Sequence, residues 1–421
     1  MEQVVVGLFL TLFILEFLVE SVLNEMNLCY VQRQSQEGKI PNVFDGRLNG
    51  GEYRKSVEYT LAKGKFQRSA AIYDIVVTLW VVFGGALPTL NRIAEALGWR
   101  FPAGARATGI IFCLSVGLIL SALYLPTDIY ATFVLEDRFG FNKTTPSLYV
   151  RDKLKGVLLG LVIGVPFLFA VLWLMEATGS YWWLWVFLFI LGFQLVMVVL
   201  YPTLIAPLFN KFEPLKEGEL RRRILATAAK VGFKAGGIFT MDGSRRSAHS
   251  NAYFTGLGKS KRIVLFDTLA EQMTVDEGVA VLAHEMGNYK MKHIRRMLVL
   301  RSIYLLVGLY VLSLLLGYGP FFHAFGFDQP AHHTALVLFS LLSGPATFYL
   351  QPLFNAISRR HEYEADRFAA AALKDGKPME EALIKLTIKN LSNLTPHPWY
   401  SAYHYSHPTP AERIGAIREE R

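Results

Sequence analysis

The feature that most constrains this chain is a series of seven apolar stretches, each about as long as a bilayer is thick. A helix rises about 1.5 Å per residue and the hydrocarbon core is about 30 Å deep, so roughly 20 apolar residues suffice to cross it. Such stretches fall near 4–23, 71–90, 107–125, 156–175, 182–206, 302–318 and 335–355. Across 421 residues the hydrophobic share is 52% and the mean hydropathy is +0.31, too apolar for an ordinary soluble enzyme. The expected class is an all-α multi-spanning membrane protein. Glu16 and Glu20 interrupt the first stretch and no basic segment precedes it, so it reads as a span and not as a cleaved leader. The two cysteines, Cys29 and Cys113, cannot form a disulfide framework.

Basic residues orient the spans, because Lys and Arg concentrate in cytoplasmic connections. The connection 24–70 carries eight and 127–155 carries five, whereas 91–106 carries three and both 176–181 and 319–334 carry none. Seven spans with an outer N-terminus fit that alternation. It divides the chain into an N-terminal membrane region of five spans (1–206), a cytoplasmic subdomain (207–301), a transmembrane hairpin (302–355) and a C-terminal segment (356–421). The net charge of +9 is thereby assigned to membrane topology, and no nucleic acid is expected as a partner. Asn142-Lys-Thr, Asn390-Leu-Ser and Asn393-Leu-Thr match glycosylation acceptors, but all fall on the expected cytoplasmic side.

The chemistry concentrates in Ala283 to His293, Ala-His-Glu-Met-Gly-Asn-Tyr-Lys-Met-Lys-His. In the zinc-protease pattern H-E-x-x-H, residues four apart on a helix lie about 40° apart and can hold one metal. His284 and position 288 have this spacing, and Glu285 stands where a carboxylate can take a proton from metal-bound water. Position 288, however, is Asn. An amide oxygen is a poor substitute for imidazole on Zn²⁺, so weakened binding and little turnover are expected. His293 lies nine residues from His284, about 180° round a continuous helix, and reads as a solvated or structural residue. Thr274 and Glu277 form a capping-box pattern, so the helix is expected over about 275–294.

Two further segments complete the pattern. His361-Glu362-Tyr363-Glu364-Ala365-Asp366 offers a third ligand, with Glu362 and Asp366 at i and i+4, and Ser406-His407-Pro408 runs on to Arg413. Both His284 and Glu362 flank the expected hairpin, which returns them to one membrane face. Together with Tyr201 to Phe212 and Asn251-Ala-Tyr-Phe-Thr-Gly256, these ordered motifs resemble the type I CAAX prenyl endopeptidase family over nearly the whole chain.

The resemblance implies a hollow helical cage with a small α+β zincin-like subdomain, and one Zn²⁺ per active chain. It implies metal ligands at His284, position 288 and Glu362, Glu285 as catalytic base, Asp366 supporting a ligand, and His407 and Arg413 facing the substrate. That substrate would be a peptide or protein, prenylated or otherwise membrane-associated, cut near its C-terminus. The active site would face the cytoplasm, at the endoplasmic reticulum in a eukaryote or the cytoplasmic membrane in a bacterium. Asn288 stands where the family has its second histidine. Its exchange beside intact Glu285, Glu362, Asp366, His407 and Arg413 favours a directed inactivation over drift in a natural pseudoenzyme. The alternative function is a scaffold that binds lipidated or misfolded membrane proteins without cutting them.

Between 207 and 297, β-like runs at 237–241, 250–255 and 262–267 predict a small sheet beside the zincin helix, after a helix over Glu217 to Val231. It either supports that helix or, as the resemblance favours, offers an edge at Asn251, Ala252, Tyr253 and Phe254 that pairs with an extended peptide. Glu16, Glu20 and Asp74 are expected either to line an internal chamber or to bond between helices. The connection 24–70 reads as a surface loop with a helix near 52–66, and His323, His332 and His333 read as a mobile polar loop.

Overall fold

The computed structural model describes residues 1–233, 236–256 and 261–419. Among the described residues six helical stretches are long and apolar enough to cross a membrane, seven if a bent pair counts as one. In order, they are α1 (Glu2–Gln36), α2 (Gly50–Phe83), α4 (Ala105–Tyr130, continued by a π-helical turn Ala131–Glu136), α5 (Pro146–Ala177), α6 (Trp182–Leu200, continued by a π-helical turn Tyr201–Ile205) and α11 (His293–Leu316). The bent pair is α13 (His332–Phe348) and α14 (Gln351–Leu373). Between α2 and α4 lies the shorter α3 (Ala86–Gly98), and α7 (Ala206–Phe209) follows the second π-helical turn. The chain is a multi-pass integral membrane protein.

Three expectations need correction. The stretch 24–70 is not a surface loop: α1 runs on to Gln36, and the helix expected near 52–66 is the first half of α2, begun by an Asn49–Glu52 capping box. The second span stops at Phe83, seven residues early, because Gly84 and Gly85 break the helix and Gly85 takes a left-handed φ of 76°. The seventh is bent instead of straight, and counts as one span only with its two helices taken together. The axis bends by 66° between α13 and α14, where Pro352 lacks an N–H to continue the ladder.

The spans enclose an apolar core of Phe9, Phe13, Val81, Leu87, Phe112, Leu172, Val186, Phe322 and Leu338. Where α1 meets α2, Gly64 lets the backbones approach: a Cβ there would lie 2.4 Å from Leu28, and Asn24 donates to the Gly64 carbonyl at 3.1 Å. Asp74 accepts a hydrogen bond from Tyr124 between spans, while Glu20 faces a cavity of about 1060 Å³ and lies 3.5 Å from His404. Asp74 is thus a bonding partner between helices, and Glu20 lines a cavity. His323, His332 and His333 lie on helices, not in a loop. His323 ends α12 (Gly319–His323), His332 and His333 begin α13, and His333 Nε2 is 2.8 Å from Asn91 Oδ1.

Outside the spans, α8 (Glu219–Lys230) packs on a four-stranded sheet of β1 (Phe212–Pro214), β2 (Ile238–Met241), β3 (Ala252–Thr255) and β4 (Arg262–Phe266), in the order β1-β2-β4-β3. Three strands match the expected runs; the short β1, which carries Pro214, was not readable. β4 pairs in parallel with β2 and antiparallel with β3. β3 is thus an edge strand. After α9 (Asp267–Gln272) comes α10 (Val275–Lys290), and the chain closes with α15 (Lys377–Lys389), α16 (Pro398–His404) and α17 (Pro410–Glu419).

Candidate active site

Helix α10 carries the central residues, and its ends are set locally. Thr274 Oγ1 accepts from the Glu277 N–H at 3.3 Å while Glu277 accepts from the Thr274 N–H at 2.8 Å. The helix stops at Lys290, four residues earlier than expected, because Lys292 adopts a left-handed φ of 62° before α11 begins at His293. Val279, Leu282 and Met286 anchor it in the core beneath the sheet. Against it lies α14, whose buried Ala365 and Ala369 present no bulk. Gly287 completes this close approach, since a Cβ there would meet Phe368 at 2.9 Å.

The consequence is a dense polar cluster. His284 Nδ1 lies 2.7 Å from Asp366 Oδ1, and its Nε2 lies 3.4 Å from Glu362 Oε2. Arg413 donates through Nε and Nη2 to Asp366 at 2.7 and 2.6 Å, and Nη1 reaches Glu362 at 3.3 Å. Arg413 is placed by α17, begun by a reciprocal Thr409–Glu412 cap. His407 Nε2 stands 3.6 Å from Glu362 Oε1 with its side chain 62% exposed, so it faces the opening while Arg413 is enclosed.

Asn288 occupies the corner between two histidines. Its Nδ2 lies 3.2 Å from His284 Nε2 and its Oδ1 lies 2.9 Å from His293 Nδ1. His293 is buried, stacks on His361 at 4.1 Å, and places Nε2 at 2.9 Å from Glu364. It is therefore structural and not solvated. The helix break at Lys292 lets it fold back toward position 288, which a continuous helix would have forbidden.

Charge follows from this packing. Burial opposes the charged form of His284, but hydrogen bonds to Asp366 and Glu362 outweigh it and push the ring up to about 9. Burial raises the Glu285 carboxyl above its ordinary range, moderated by His284 and by the main chain of Phe254, which lies within hydrogen-bonding reach. Burial also works against the Arg413 charge, and the Asp366 partner more than restores it.

The donor set does not fit a catalytic zinc. Two ligands of a tetrahedral ion with bonds near 2.0–2.1 Å stand roughly 3.3 Å apart, which His284 Nε2 and Glu362 Oε2 satisfy at 3.4 Å. The third corner is an amide whose oxygen is turned to His293. Among the described residues no group of three His, Cys, Asp or Glu side chains could hold a metal ion.

Asn251 directly precedes β3, Ala252, Tyr253 and Phe254 lie on it, and the Phe254 main chain is within hydrogen-bonding reach of Glu285. At the other end of the strand lies a group that sequence reasoning missed. Tyr59 donates to Glu136 at 2.6 Å, His249 stands 3.3 Å from both Glu136 and Asn390, and Asn390 pairs with the Ser250 main chain. No local spacing links residues as far apart as 59, 136, 249 and 390.

Residues 30–211 match a family model described as CAAX prenyl protease N-terminal, five membrane helices, and residues 214–421 match Peptidase family M48. The chain is 36% identical to a CAAX prenyl protease 1 homolog of Oryza sativa, covering 95% of this chain and 97% of that protein. It is 37% identical to CAAX prenyl protease 1 of Saccharomyces cerevisiae, covering 93% and 92%. The human homolog is 32% identical, with 90% and 88% covered. The crystal structure of S. mikatae Ste24p superposes with a TM-score of 0.90 at 35% identity, over 97% of this chain and 98% of that one.

Proposed function

The chain belongs to the M48 peptidases, as a member of the CAAX prenyl protease family of membrane metallopeptidases, and from that premise we propose that it holds C-terminal peptides without cutting them efficiently. The observation that carries this reading is the Asn288 amide, which sits where a third zinc donor belongs and is bonded to His293 instead.

The rest of the site keeps its parts. Among the described residues β3 is an edge strand, whose outward backbone suits an extended peptide, with affinity from main-chain bonds and preference left to side-chain pockets. Glu285 stands at that edge beside Phe254, its carboxyl raised by burial above the ordinary value, the direction that suits a group moving a proton at a peptide bond. His407 is the open donor for a developing negative charge, while Arg413 fixes Asp366 and Glu362, and Asp366 fixes His284. M48 metallopeptidases depend on zinc in general, and the ion would supply an activated water. With the donor set incomplete, no hydrolytic step is assigned to the chain as it stands.

The names of the relatives point to prenylated C-a-a-X proteins as the substrate class. The excess of Lys and Arg in the connections around the site supports a cytoplasmic orientation, at the endoplasmic reticulum membrane in a eukaryotic host. The test is fluorescence anisotropy of a farnesylated C-a-a-X peptide with the full chain in lipid nanodiscs, followed by mass spectrometry of the peptide in excess zinc. Saturable binding with the peptide recovered whole is the expected result. Absence of binding, or rapid release of the C-terminal tripeptide, would overturn the proposal.

A further inference from the structure

Backbone groups on an antiparallel strand alternate, so one residue faces its partner strand and the next faces away. The Asn251 carbonyl accepts from the Phe266 N–H at 3.0 Å, which fixes the phase: Asn251, Tyr253 and Thr255 face β4, while Ser250, Ala252 and Phe254 face outward. Phe254 reaches Glu285 on that outward side. The outward row is the one a bound peptide would use.

That row is already closed at one end. The Ser250 N–H donates to Asn390 Oδ1 at 3.1 Å, and Asn390 Nδ2 donates back to the Ser250 carbonyl at 3.2 Å. A side-chain amide thus makes both bonds that a paired strand residue would make. Asn390 is held in place by His249, whose Nδ1 is 3.3 Å from Asn390 Oδ1 and whose ring stacks on Phe141 at 3.8 Å between centroids. The Glu136 carboxylate, bonded to Tyr59, backs His249 from behind. Asn390 therefore caps the edge as a fixed part of the fold.

We propose that Asn390 is a length-determining residue, an end-stop that occupies the last place on the peptide-pairing edge and limits how far a bound chain can extend past Glu285. This rests on the reading that β3 pairs with substrate. Antiparallel pairing, the commoner arrangement, runs the peptide from Phe254 toward Ser250 with its C-terminus leading. Between the place beside Phe254 and the stop lie only those opposite Tyr253, Ala252 and Asn251. The site thereby accepts a short C-terminal tail and resists a longer one. Asn390 acts by position and takes no part in bond breaking.

The experiment uses the full chain in nanodiscs and farnesylated peptides that end three, five or seven residues after the modified cysteine. Binding is read by anisotropy, and hydrogen exchange is followed over residues 250–256. The unaltered chain binds the shortest peptide best and protects the Phe254 amide. Asn390→Ala raises affinity for the five-residue tail by about tenfold, equivalent to about 1.4 kcal/mol. The isosteric Asn390→Asp, which sets a carboxylate against the Ser250 carbonyl, moves it in the same direction and guards against misfolding of the alanine variant. Protection of Phe254 with an unchanged length profile in both variants overturns the end-stop alone. Binding without protection of Phe254 overturns the edge-pairing reading and the end-stop with it. A preference that follows N-terminal length instead overturns the assigned direction.

Discussion

The two ends of β3 differ in kind. At the Phe254 end, Glu285 meets a ligand cluster in which one of three donors is an amide; at the Ser250 end, Asn390, His249, Glu136 and Tyr59 are mutually bonded. Asparagine thus appears at both, with opposite effect. At position 390 its paired donor and acceptor imitate a strand, and at 288 the same pairing bridges two histidines where a metal site needs a lone pair directed at the ion. On the proposed reading, holding a peptide and cutting it are separable on this scaffold.

The largest expected effect comes from making the two ends alike again. Asn288→His should bring zinc content, by elemental analysis after gel filtration, to one per chain, against a substoichiometric value for the chain as given. Equal zinc in both proteins would break the contrast. The next effect comes from Arg413→Ala, which leaves Asp366 and Glu362 buried with His284 as their remaining cation. Removing one partner of a buried pair costs about 3–5 kcal/mol, so chemical denaturation should show a loss of that size, confined to the ligand end of the strand. A loss below about 1 kcal/mol, in the range of an exposed pair, would mean that Arg413 is not the organising cation. Gly287→Ala should cost about 1–3 kcal/mol as an overpacked contact, since Phe368 must yield. Thr274→Ala should cost about 1 kcal/mol through the lost cap of α10.

A pH effect sharpens the same comparison. His284 is raised above its ordinary value by two carboxylates. Its contribution to stability is therefore complete below about 6.5 and is lost as pH rises through about 9. With a chelator present, thermal midpoints should fall over that interval, and Asp366→Asn should flatten the fall.

Much of this was legible in the sequence. The spans follow from apolar length, three strands from short β-like runs, and α10 from its cap and its His-Glu pair. What escaped has physical causes. Apolar windows mark where a helix meets lipid but not where it begins or ends, so α1 runs well past its window while α2 begins well before its own and stops short of its end. The bend before α14 depends on Pro352 within an otherwise continuous run. A continuous helix would carry His293 to the wrong face, yet the turn at Lys292 returns it to Asn288. Asn390 resembled a glycosylation acceptor by local pattern, and only the distant Ser250 gives it meaning.

The central claim is that Asn288 separates binding from cleavage. Its most direct test is mass spectrometry of a farnesylated C-a-a-X peptide incubated in zinc with the purified chain and with Asn288→His, with affinity measured for each. The account predicts similar affinities, with the C-terminal tripeptide released only by the histidine variant, at a rate at least about 100-fold above the parent, the scale at which general acid–base catalysis begins to tell. Cleavage at comparable rates by both, or a zinc-loaded histidine variant that binds the peptide and leaves it whole, would contradict it.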